Sequence, residues 1–274
     1  MKFTGIFFKV IILNILSTPG LNAQTDGDLN KQKMIGLKLS LLRNTMQDSR
    51  LSARSFTKFS PGFGIRHERQ TSKHWHSLDI DFARLKNRSQ QESLGLTSIV
   101  GSVQHSYRWK VGQLWIGSNT QHSTVLNFPS EKHTDFFRNS PISYTIAQSI
   151  GPSIGYQQTL GRTEQFGLRV TTDLDLWSYL IQPIQGHPYP SRFLQPDVFT
   201  PTRANMAGPL VKSGRLSGPK RFRNLRIQVG LFYQPTDHFR LDLGLVYEQS
   251  YANANHKAVR WHNQQLSLTG SYVY

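Results

Sequence analysis

The sequence predicts an all-β fold, an up-and-down antiparallel transmembrane β-barrel of about ten strands. Three observations carry this prediction: apolar and polar residues alternate with a period of two in many segments, short and long connections alternate strictly along the chain, and aromatic residues gather at one set of segment ends. Only 37% of the 274 residues are hydrophobic. No apolar run after residue 20 approaches the roughly 18 residues of a membrane helix, which excludes a helical membrane protein.

The first 23 residues have the pattern of a secretory signal peptide. Lys2 and Lys9 supply positive charge, residues 10–16 form a short apolar core, and Ala23 is a small residue before the expected cleavage point. We therefore expect residues 24–274 to form a single exported β-barrel domain. The sequence contains no cysteine, so neither a disulfide nor a lipid-anchored cysteine is available.

Ten segments have the period of a strand. In one of them Leu241 and Leu243 alternate with Asp242 and Gly244. The candidate strands lie at 34–42, 62–70, 74–86, 96–110, 114–127, 142–160, 166–176, 224–233, 239–248 and 265–274. Most are longer than the about five or six residues usual in globular sheets, and they match a tilted membrane crossing of about 9–11 residues.

The connections between these segments are of two kinds. Short turns are expected at 71–73, 111–113, 161–164 and 235–237, and long connections at 43–61, 87–95, 128–141, 183–222 and 252–260. Membrane barrels keep tight turns on the periplasmic side and large loops outside. A β-sandwich has no reason to keep all its long loops at one end. The even strand number places both termini on the periplasmic side.

Aromatic residues of the apolar phase lie beside the short turns or the C-terminus. They are Trp109, Phe166, Tyr233, Phe239, Tyr272 and Tyr274. Rings with a polar edge favour the level of the lipid headgroups, so we expect these residues to form an inner girdle. Tyr144 and Tyr247 would belong to an outer one.

The whole pattern resembles a Gram-negative outer-membrane β-barrel protein. The signal peptide, the alternating strands, the unequal loops and the terminal segment LSLTGSYVY at 266–274 carry the resemblance. It implies an outer-membrane location among lipid and lipopolysaccharide. It also implies that the last strand, with Gly270, Tyr272 and Tyr274, is recognised by the barrel-assembly machinery.

If the apolar phase meets lipid, the opposite phase faces the lumen, where the charges balance. The candidates are seven cations, Lys38, Arg66, Arg108, Lys110, Arg169, Arg226 and Arg240, and seven anions, Glu68, Asp79, Asp81, Asp173, Asp175, Asp242 and Glu248. Unpaired buried charges are costly, so we expect ion pairs across a plugged or narrow interior. A small water channel is the alternative.

The 183–222 segment is predicted to be a long, basic, proline-rich extracellular loop. Its cations are Arg192, Arg203, Lys212, Arg215, Lys220 and Arg221, against Asp197 alone. Arginines with aromatic residues suit phosphate, carboxylate or glycan ligands, which predicts a surface for lipopolysaccharide, polysaccharide or an envelope protein partner. A solvated loop without a ligand is the alternative. We expect no nucleic-acid partner, because the chain is exported.

The catalytic and metal-binding patterns are incomplete. His122 and Ser123 are adjacent and so point to opposite faces of a strand, which does not suit a serine–histidine hydrolase. Asp79 with Asp81, and likewise Asp173 with Asp175, could share a proton, but structural ion pairing is the favoured interpretation. Of the possible metal ligands His67, His74 and His76, three are not assured on one face, so we expect neither metal nor cofactor.

These observations predict a non-catalytic, monomeric outer-membrane barrel with a role in surface binding or envelope assembly and with a charge-compensated lumen. Two alternatives remain open. One is a narrow, porin-like transport channel for small or anionic solutes, and the other is a surface hydrolase acting on envelope lipid or protein.

Overall fold

The computed structural model describes residues 32–48, 55–88, 95–129, 143–160, 165–181, 214–253 and 258–274, and nearly all of them lie in strands. No helix among these residues is long and apolar enough to cross a membrane. The predicted signal peptide lies outside the described residues, as does the part of the 183–222 segment that holds Arg192, Arg203 and Lys212.

The described residues form twelve strands, which we number in chain order. They are β1 Gln32–Asp48, β2 Ser55–Gln70, β3 His74–Arg88, β4 Gly95–Val111, β5 Leu114–Pro129, β6 Ser143–Leu160, β7 Phe166–Asp175, β8 Trp177–Ile181, β9 Arg215–Ser217, β10 Phe222–Thr236, β11 Phe239–Ala252 and β12 Val259–Val273.

The strands close into an up-and-down antiparallel barrel. β1 to β6 pair in sequence, β10 to β12 pair in sequence, and β1 pairs with β12. β7 and β8 both pair with β6, while β10 pairs with β7 and β9 with β8. β7 and β8 therefore form one wall of the barrel, and β9 and β10 form the next. The twelve strands thus make ten walls. The predicted fold class is confirmed, because the pairings of β1 with β12 and of β5 with β6 close the sheet on itself.

The barrel has an inverted polarity, with apolar side chains outside and polar side chains inside. On β1, Leu37 is 72% exposed and the adjacent Lys38 is 2% exposed. On β12, Leu266 and Leu268 are exposed whereas Ser267 between them is buried. This alternation is characteristic of strands that face hydrocarbon on one side and a polar interior on the other.

The short turns and both described chain ends lie at one end of the barrel, which we call the periplasmic end. Thr71 N donates to His74 O at 2.8 Å in the first turn. Gly112, between β4 and β5, has a φ of 63°, a conformation that favours glycine because it lacks a Cβ. The turn at 237–238 joins β10 to β11. The predicted turn at 161–164 lies outside the described residues.

Several strands continue further into the long connections than the sequence predicts. β1 has 17 residues, so it rises about 43 Å at about 3.3 Å per residue and a tilt of about 40°, more than the about 30 Å hydrocarbon core. Outside the hydrocarbon the outward residues need not be apolar. The alternation that predicts a strand is therefore lost from the sequence there. The predicted 43–61 connection is thus largely strand, and residues 215–217 of the predicted 183–222 loop form β9.

The wall made of β7 and β8 contains a bulge. Asp175 is buried, Trp177 is 51% exposed, and Ser178 is buried again, so the inward phase changes from odd to even residue numbers at Leu176. One extra residue in a strand produces this shift. The predicted strand at 166–176 therefore continues to Ile181, past the point where its period breaks.

Candidate functional site

A group of ion pairs fills the middle of the lumen. Lys38 Nζ lies 2.6 Å from Asp81 Oδ1 and 3.5 Å from Asp79 Oδ1. Arg66 Nε donates to Asp79 Oδ1 at 2.8 Å. Arg226 Nη2, from the opposite wall, lies 3.9 Å from Asp81 Oδ2. The structure thus brings these charges together in the lumen, where each offsets the desolvation of its neighbours.

Further ion pairs lie closer to the periplasmic end. Arg169 on β7 donates to both carboxylate oxygens of Glu68 on β2, at 2.7 and 2.8 Å. Arg108 Nη2 donates to Asp173 Oδ1 at 3.0 Å. Such hydrogen-bonded pairs tie separate walls of the barrel together.

Arg240 and Asp242 form a further ion pair, within strand β11. Arg240 Nη2 donates to Asp242 Oδ1 at 2.8 Å, and both side chains are buried. The guanidinium carbon also lies 3.9 Å from the ring centroid of Phe232. Residues that are two apart on one strand point to the same face, so this ion pair forms within a single wall of the barrel.

An aromatic side chain that the sequence analysis did not single out lies among these ions. Trp75 is 1% exposed, and the guanidinium carbons of Arg108 and Arg169 each lie 4.8 Å from its ring centroid. The indole is therefore held between two cations by cation–π contacts. In the sequence, the feature that could have identified Trp75 as a lumen residue is its position on the inward phase of the strand, between His74 and His76.

Asp175 and Glu248 differ from the expectation of ion pairing. Asp175 accepts hydrogen bonds from Asn119 at 2.9 Å and Ser149 at 2.8 Å, and Glu248 accepts from Gln121 at 3.2 Å. Within the described residues neither carboxylate has a cationic group within 4 Å. Both belong to a layer of amide and hydroxyl groups closer to the extracellular end.

An apolar cluster closes the extracellular end of the lumen. Its buried members are Met46, Val125, Ala147, Leu180, Phe222, Ala252, Val259 and Trp261. Sequence reasoning missed this cluster because most of these positions fell in the predicted connections or beyond the clearest alternation. Apolar side chains offer no partners to a hydrated ion, so the cluster seals the barrel above the polar layers.

The space left between the lumen side chains is small. A cavity of about 10 Å³ lies beside Trp75, Arg108 and Asp173. This is about the smallest volume that holds one water molecule. At this level of the lumen, the space between the side chains is therefore no larger than about one water molecule.

The sequence analysis placed Lys110 in the lumen, but the structure does not bury it there. It lies on the inward phase but is exposed at the periplasmic mouth, two residues before the turn at Gly112. Its Nζ is 5.7 Å from the ring centroid of Trp115. Proximity to the turn explains the difference, because the side chain reaches water.

The extracellular rim carries a different arrangement of charge. Arg223 on β10, Tyr251 on β11 and Arg260 on β12 are neighbours in register. The guanidinium carbons lie 5.4 and 5.8 Å from the Tyr251 ring centroid, and both arginines are exposed. We call these three residues the rim site.

Other cations surround the rim site without described carboxylates. Arg215, Lys220 and Arg221 of the predicted binding segment are exposed at the same end. The acidic residues with described side chains are Glu68, Asp79, Asp81, Asp173, Asp175, Asp242 and Glu248, all on the lumen side, and Asp237, in a periplasmic turn. Asp48 ends β1 at the extracellular end, where its backbone pairs with Val259. The charged side chains that the structure describes at the outer rim are therefore mainly cationic, with Asp48 as the acidic residue at this end.

The candidate catalytic groups are not brought together. Ser123 shares the inward phase of Gln121 and Val125, whereas His122 lies on the outer face, where its Nε2 is 3.4 Å from Thr124 Oγ1. A proton cannot pass directly between side chains on opposite faces of a strand.

The histidines near the first periplasmic turn contact other side chains. No group of three or more possible ligands occurs among the described residues. His76 Nε2 instead lies 2.5 Å from His105 Nε2, and His74 Nδ1 lies 3.1 Å from the Tyr107 hydroxyl oxygen.

The closed barrel, its apolar exterior and its polar interior define the class of this protein: it is a transmembrane β-barrel of the outer-membrane class. Barrels of this polarity belong to outer membranes, so the outer membrane is its location and lipid surrounds it. The aromatic residues Trp109, Phe239 and Tyr272 are exposed near the periplasmic end, at the level of the predicted inner girdle.

Solved structures with a similar fold are also outer-membrane proteins. The outer membrane protease OmpT from Escherichia coli has a TM-score of 0.46 and 9% identity, over 93% of this chain and 100% of that chain. The translocator domain of the autotransporter NalP from Neisseria meningitidis has a TM-score of 0.41 and 9% identity, over 98% of this chain and 94% of that chain. Ail, the attachment invasion locus protein of Yersinia pestis, has a TM-score of 0.33 and 9% identity, over 90% and 100%. No family model and no curated protein matches the sequence.

Proposed function

We propose that this protein is a non-catalytic outer-membrane barrel that binds phosphate groups of the outer-leaflet glycolipid, as in lipopolysaccharide, through its cationic rim. The observation that carries the proposal is the rim site, in which Arg223 and Arg260 flank the ring of Tyr251. Surface binding of this kind, rather than transport or hydrolysis, agrees best with the filled lumen.

The chemistry of the rim site suits a phosphate. A guanidinium presents a planar fork of N–H donors that can bind two phosphate oxygens at once. Stacking on Tyr251 restricts each arginine, so less side-chain entropy is lost when the ligand binds. Arg223 lies directly above the outward-facing Leu225 on β10, which places its charge where the apolar surface ends.

The remaining cations extend the same surface. Arg215, Lys220 and Arg221 are exposed at this end, and we propose that Arg192, Arg203 and Lys212 of the 183–222 segment add to it. A mainly cationic rim attracts anionic headgroups over distances of about a Debye length, about 8–10 Å. We also propose that the last strand, with Gly270, Tyr272 and Tyr274, is read by the barrel-assembly machinery.

The arrangement of the lumen disfavours the transport alternative. Ion pairs, an amide layer and the apolar cluster follow one another along the barrel axis, and the cavity beside Trp75 has room for about one water molecule. A solute would have to break several charge-assisted hydrogen bonds in order to pass.

The proposal is tested by binding of the purified, refolded barrel to vesicles that contain lipopolysaccharide. The variant carries Arg223→Gln and Arg260→Gln, and the control carries Lys73→Gln, which removes an exposed cation at the periplasmic end. We expect the rim variant to bind at least about tenfold more weakly, because charged hydrogen bonds contribute about 1.5–3 kcal/mol each before screening.

The control should bind like the wild type, and vesicles of phosphatidylcholine alone should bind both proteins equally. Equal affinity of the rim variant and the wild type for lipopolysaccharide would overturn the proposal. Equal losses in the rim variant and the control would mean that net charge, and not the rim site, determines binding.

A further inference from the structure

The lipid-facing surface of the barrel is not apolar all round. On β1 the outward side chains include Leu37, Leu39 and Leu41, all exposed. On β5 the outward side chains between Ile116 and Leu126 are polar instead, and they are flanked by both polar and apolar side chains, such as Val103 on β4 and Ile150 on β6. We call this surface the polar strip: it consists of His105 on β4, Ser118, Thr120 and His122 on β5, Gln148 on β6, and Thr124 on β5, whose side chain is buried.

The polar strip lies at the depth of the hydrocarbon. His105 is four residues above Trp109 of the inner girdle, which corresponds to about 13 Å along the strand and about 10 Å in height at a tilt of about 40°. The apolar band of such barrels is about 25 Å tall, so the strip lies near its middle. Ile116 below and Leu126 above mark the band on β5 itself.

The hydrogen bonds between members of the strip are few and long, although His105 Nε2 also lies 2.5 Å from His76 Nε2 on β3. Thr120 Oγ1 donates to His105 O at 3.4 Å, and Thr124 Oγ1 lies 3.4 Å from His122 Nε2. Within the described part of the chain, the side chains of Ser118 and Gln148 make no hydrogen bond. Hydrocarbon cannot supply the missing partners, so a partner molecule that does so would stabilise the barrel.

We propose that the polar strip is the interface between two copies of this chain in the membrane. Hydroxyl, imidazole and amide groups each donate and accept hydrogen bonds, and the strip contains no carboxylate, lysine or arginine. Such a surface is complementary to itself, as a two-fold interface requires. It replaces the monomer expected from sequence with a dimer.

The shape of the surface agrees with close contact between two barrels. Ser118 and Thr120 are short, and their partners across the ladder on β6 are Pro152 and Ile150. Small residues let the backbones of membrane proteins approach closely. A two-fold axis along the membrane normal keeps the extracellular ends of both copies on the same side and brings the two β5 strands together.

The absence of cysteine makes a direct test possible. Thr120→Cys introduces a single cysteine next to the proposed axis, where it faces the same residue of the second copy. Leu268→Cys is the matched control, because Leu268 is exposed on β12, the wall diametrically opposite β5, at a similar height above the girdle. Both variants are treated with a membrane-permeant oxidant in native outer membranes.

We expect Thr120→Cys to give a disulfide-linked product of twice the chain mass and Leu268→Cys to give none. A combined Thr120→Val and His122→Leu substitution should reduce the dimer fraction of the purified protein about tenfold, since each lost hydrogen bond is worth about a factor of two to ten. Retained heat-modifiable migration on gels shows that this variant is folded.

Three results would overturn the proposal. They are a Thr120→Cys protein that stays monomeric, equal cross-linking of both cysteine variants, and a product whose mass requires a different protein. An unchanged dimer in the Thr120→Val, His122→Leu variant would equally exclude the polar strip as the interface. None of these outcomes bears on lipid binding at the rim site, which is on other strands.

Discussion

Glu68 and Arg169 join opposite walls of the barrel through two parallel hydrogen bonds of 2.7 and 2.8 Å. β2 and β7 are five walls apart in a ring of ten, so this pair spans the full width of the lumen. The Arg169 guanidinium also stacks on Trp75. A contact across the diameter fixes the cross-section of the barrel and explains why the interior holds no open passage at this level.

Arg169→Met should destabilise the barrel strongly. It removes the hydrogen-bonded cation of the buried Glu68 carboxylate, and the loss of one partner of a buried ion pair costs about 3–5 kcal/mol in the free energy of unfolding. The measurement is urea-induced unfolding in phospholipid vesicles, followed by tryptophan fluorescence. Lys73→Gln in the exposed turn is the control and should change the free energy of unfolding by less than about 0.5 kcal/mol.

A double variant distinguishes loss of a contact from loss of charge balance. Glu68→Gln combined with Arg169→Met removes both charges and should recover part of the stability lost in Arg169→Met alone. If the single variant were as stable as the wild type, the pair would not hold the walls together. If the double variant were less stable than the single one, the unpaired carboxylate would not be the cause.

The wild-type protein should give no conductance steps in planar lipid bilayers. The ion pairs, the amide layer and the apolar cluster each close the lumen, so removal of one should not open it. Trp261→Ala, which truncates the largest side chain of the cluster, should therefore remain silent too. Stable steps from the wild type would favour the narrow transport channel, and steps from Trp261→Ala alone would show that the apolar cluster is the sole barrier.

Sequence alone predicts the walls of this barrel well where they cross hydrocarbon. In 239–248 the lipid forces Leu241, Leu243 and Leu245 outward, so the period of two is complete and the strand is found. The bulge at Leu176 and the strand extensions are found poorly, because the alternation breaks or fades there while the backbone pairing continues.

The missed apolar cluster has an instructive physical cause. On β12, Leu266 and Leu268 face lipid, but Val259 and Trp261 face the lumen. The polarity of the alternation therefore reverses along one strand as it leaves the hydrocarbon. The period shows that two faces exist, and it does not show which face is inside.

The lumen residues could be predicted as a set but not as pairs. The inward phase identifies Arg108, Arg169 and Asp173 from sequence. Which of them meet depends on the stagger between walls that are distant in the ring, and that stagger has no local signal in the sequence. The same reason explains why Asp175 and Glu248 are held by amides and not by cations.

Tyr251→Ala should weaken binding at the rim site although it removes no charge. The ring contacts two guanidinium groups, and an exposed cation–π contact is worth about 0.5–1 kcal/mol, so affinity for lipopolysaccharide vesicles should fall about fivefold to thirtyfold. Tyr251→Phe keeps the ring and is the control, with affinity close to that of the wild type. A loss in Tyr251→Phe equal to that in Tyr251→Ala would assign the effect to the hydroxyl and not to stacking.

Tyr274→Ala should lower the amount of folded barrel in the outer membrane severalfold without a matching loss of stability. The backbone bonds of this residue to Lys33, 2.9 Å from Tyr274 N to Lys33 O and 3.2 Å in return, do not depend on the side chain. The ring is exposed, with Lys33 Nζ 5.8 Å and the Tyr272 ring 6.2 Å from its centroid, so most of its surface is accessible as a signal for assembly. The folded fraction is measured by heat-modifiable migration of membrane extracts, with Tyr247→Ala as a control that removes an exposed ring elsewhere. Refolding of purified Tyr274→Ala into lipid vesicles should match the wild type; slow or incomplete refolding there would mean that the ring stabilises the barrel and is not read by the assembly machinery.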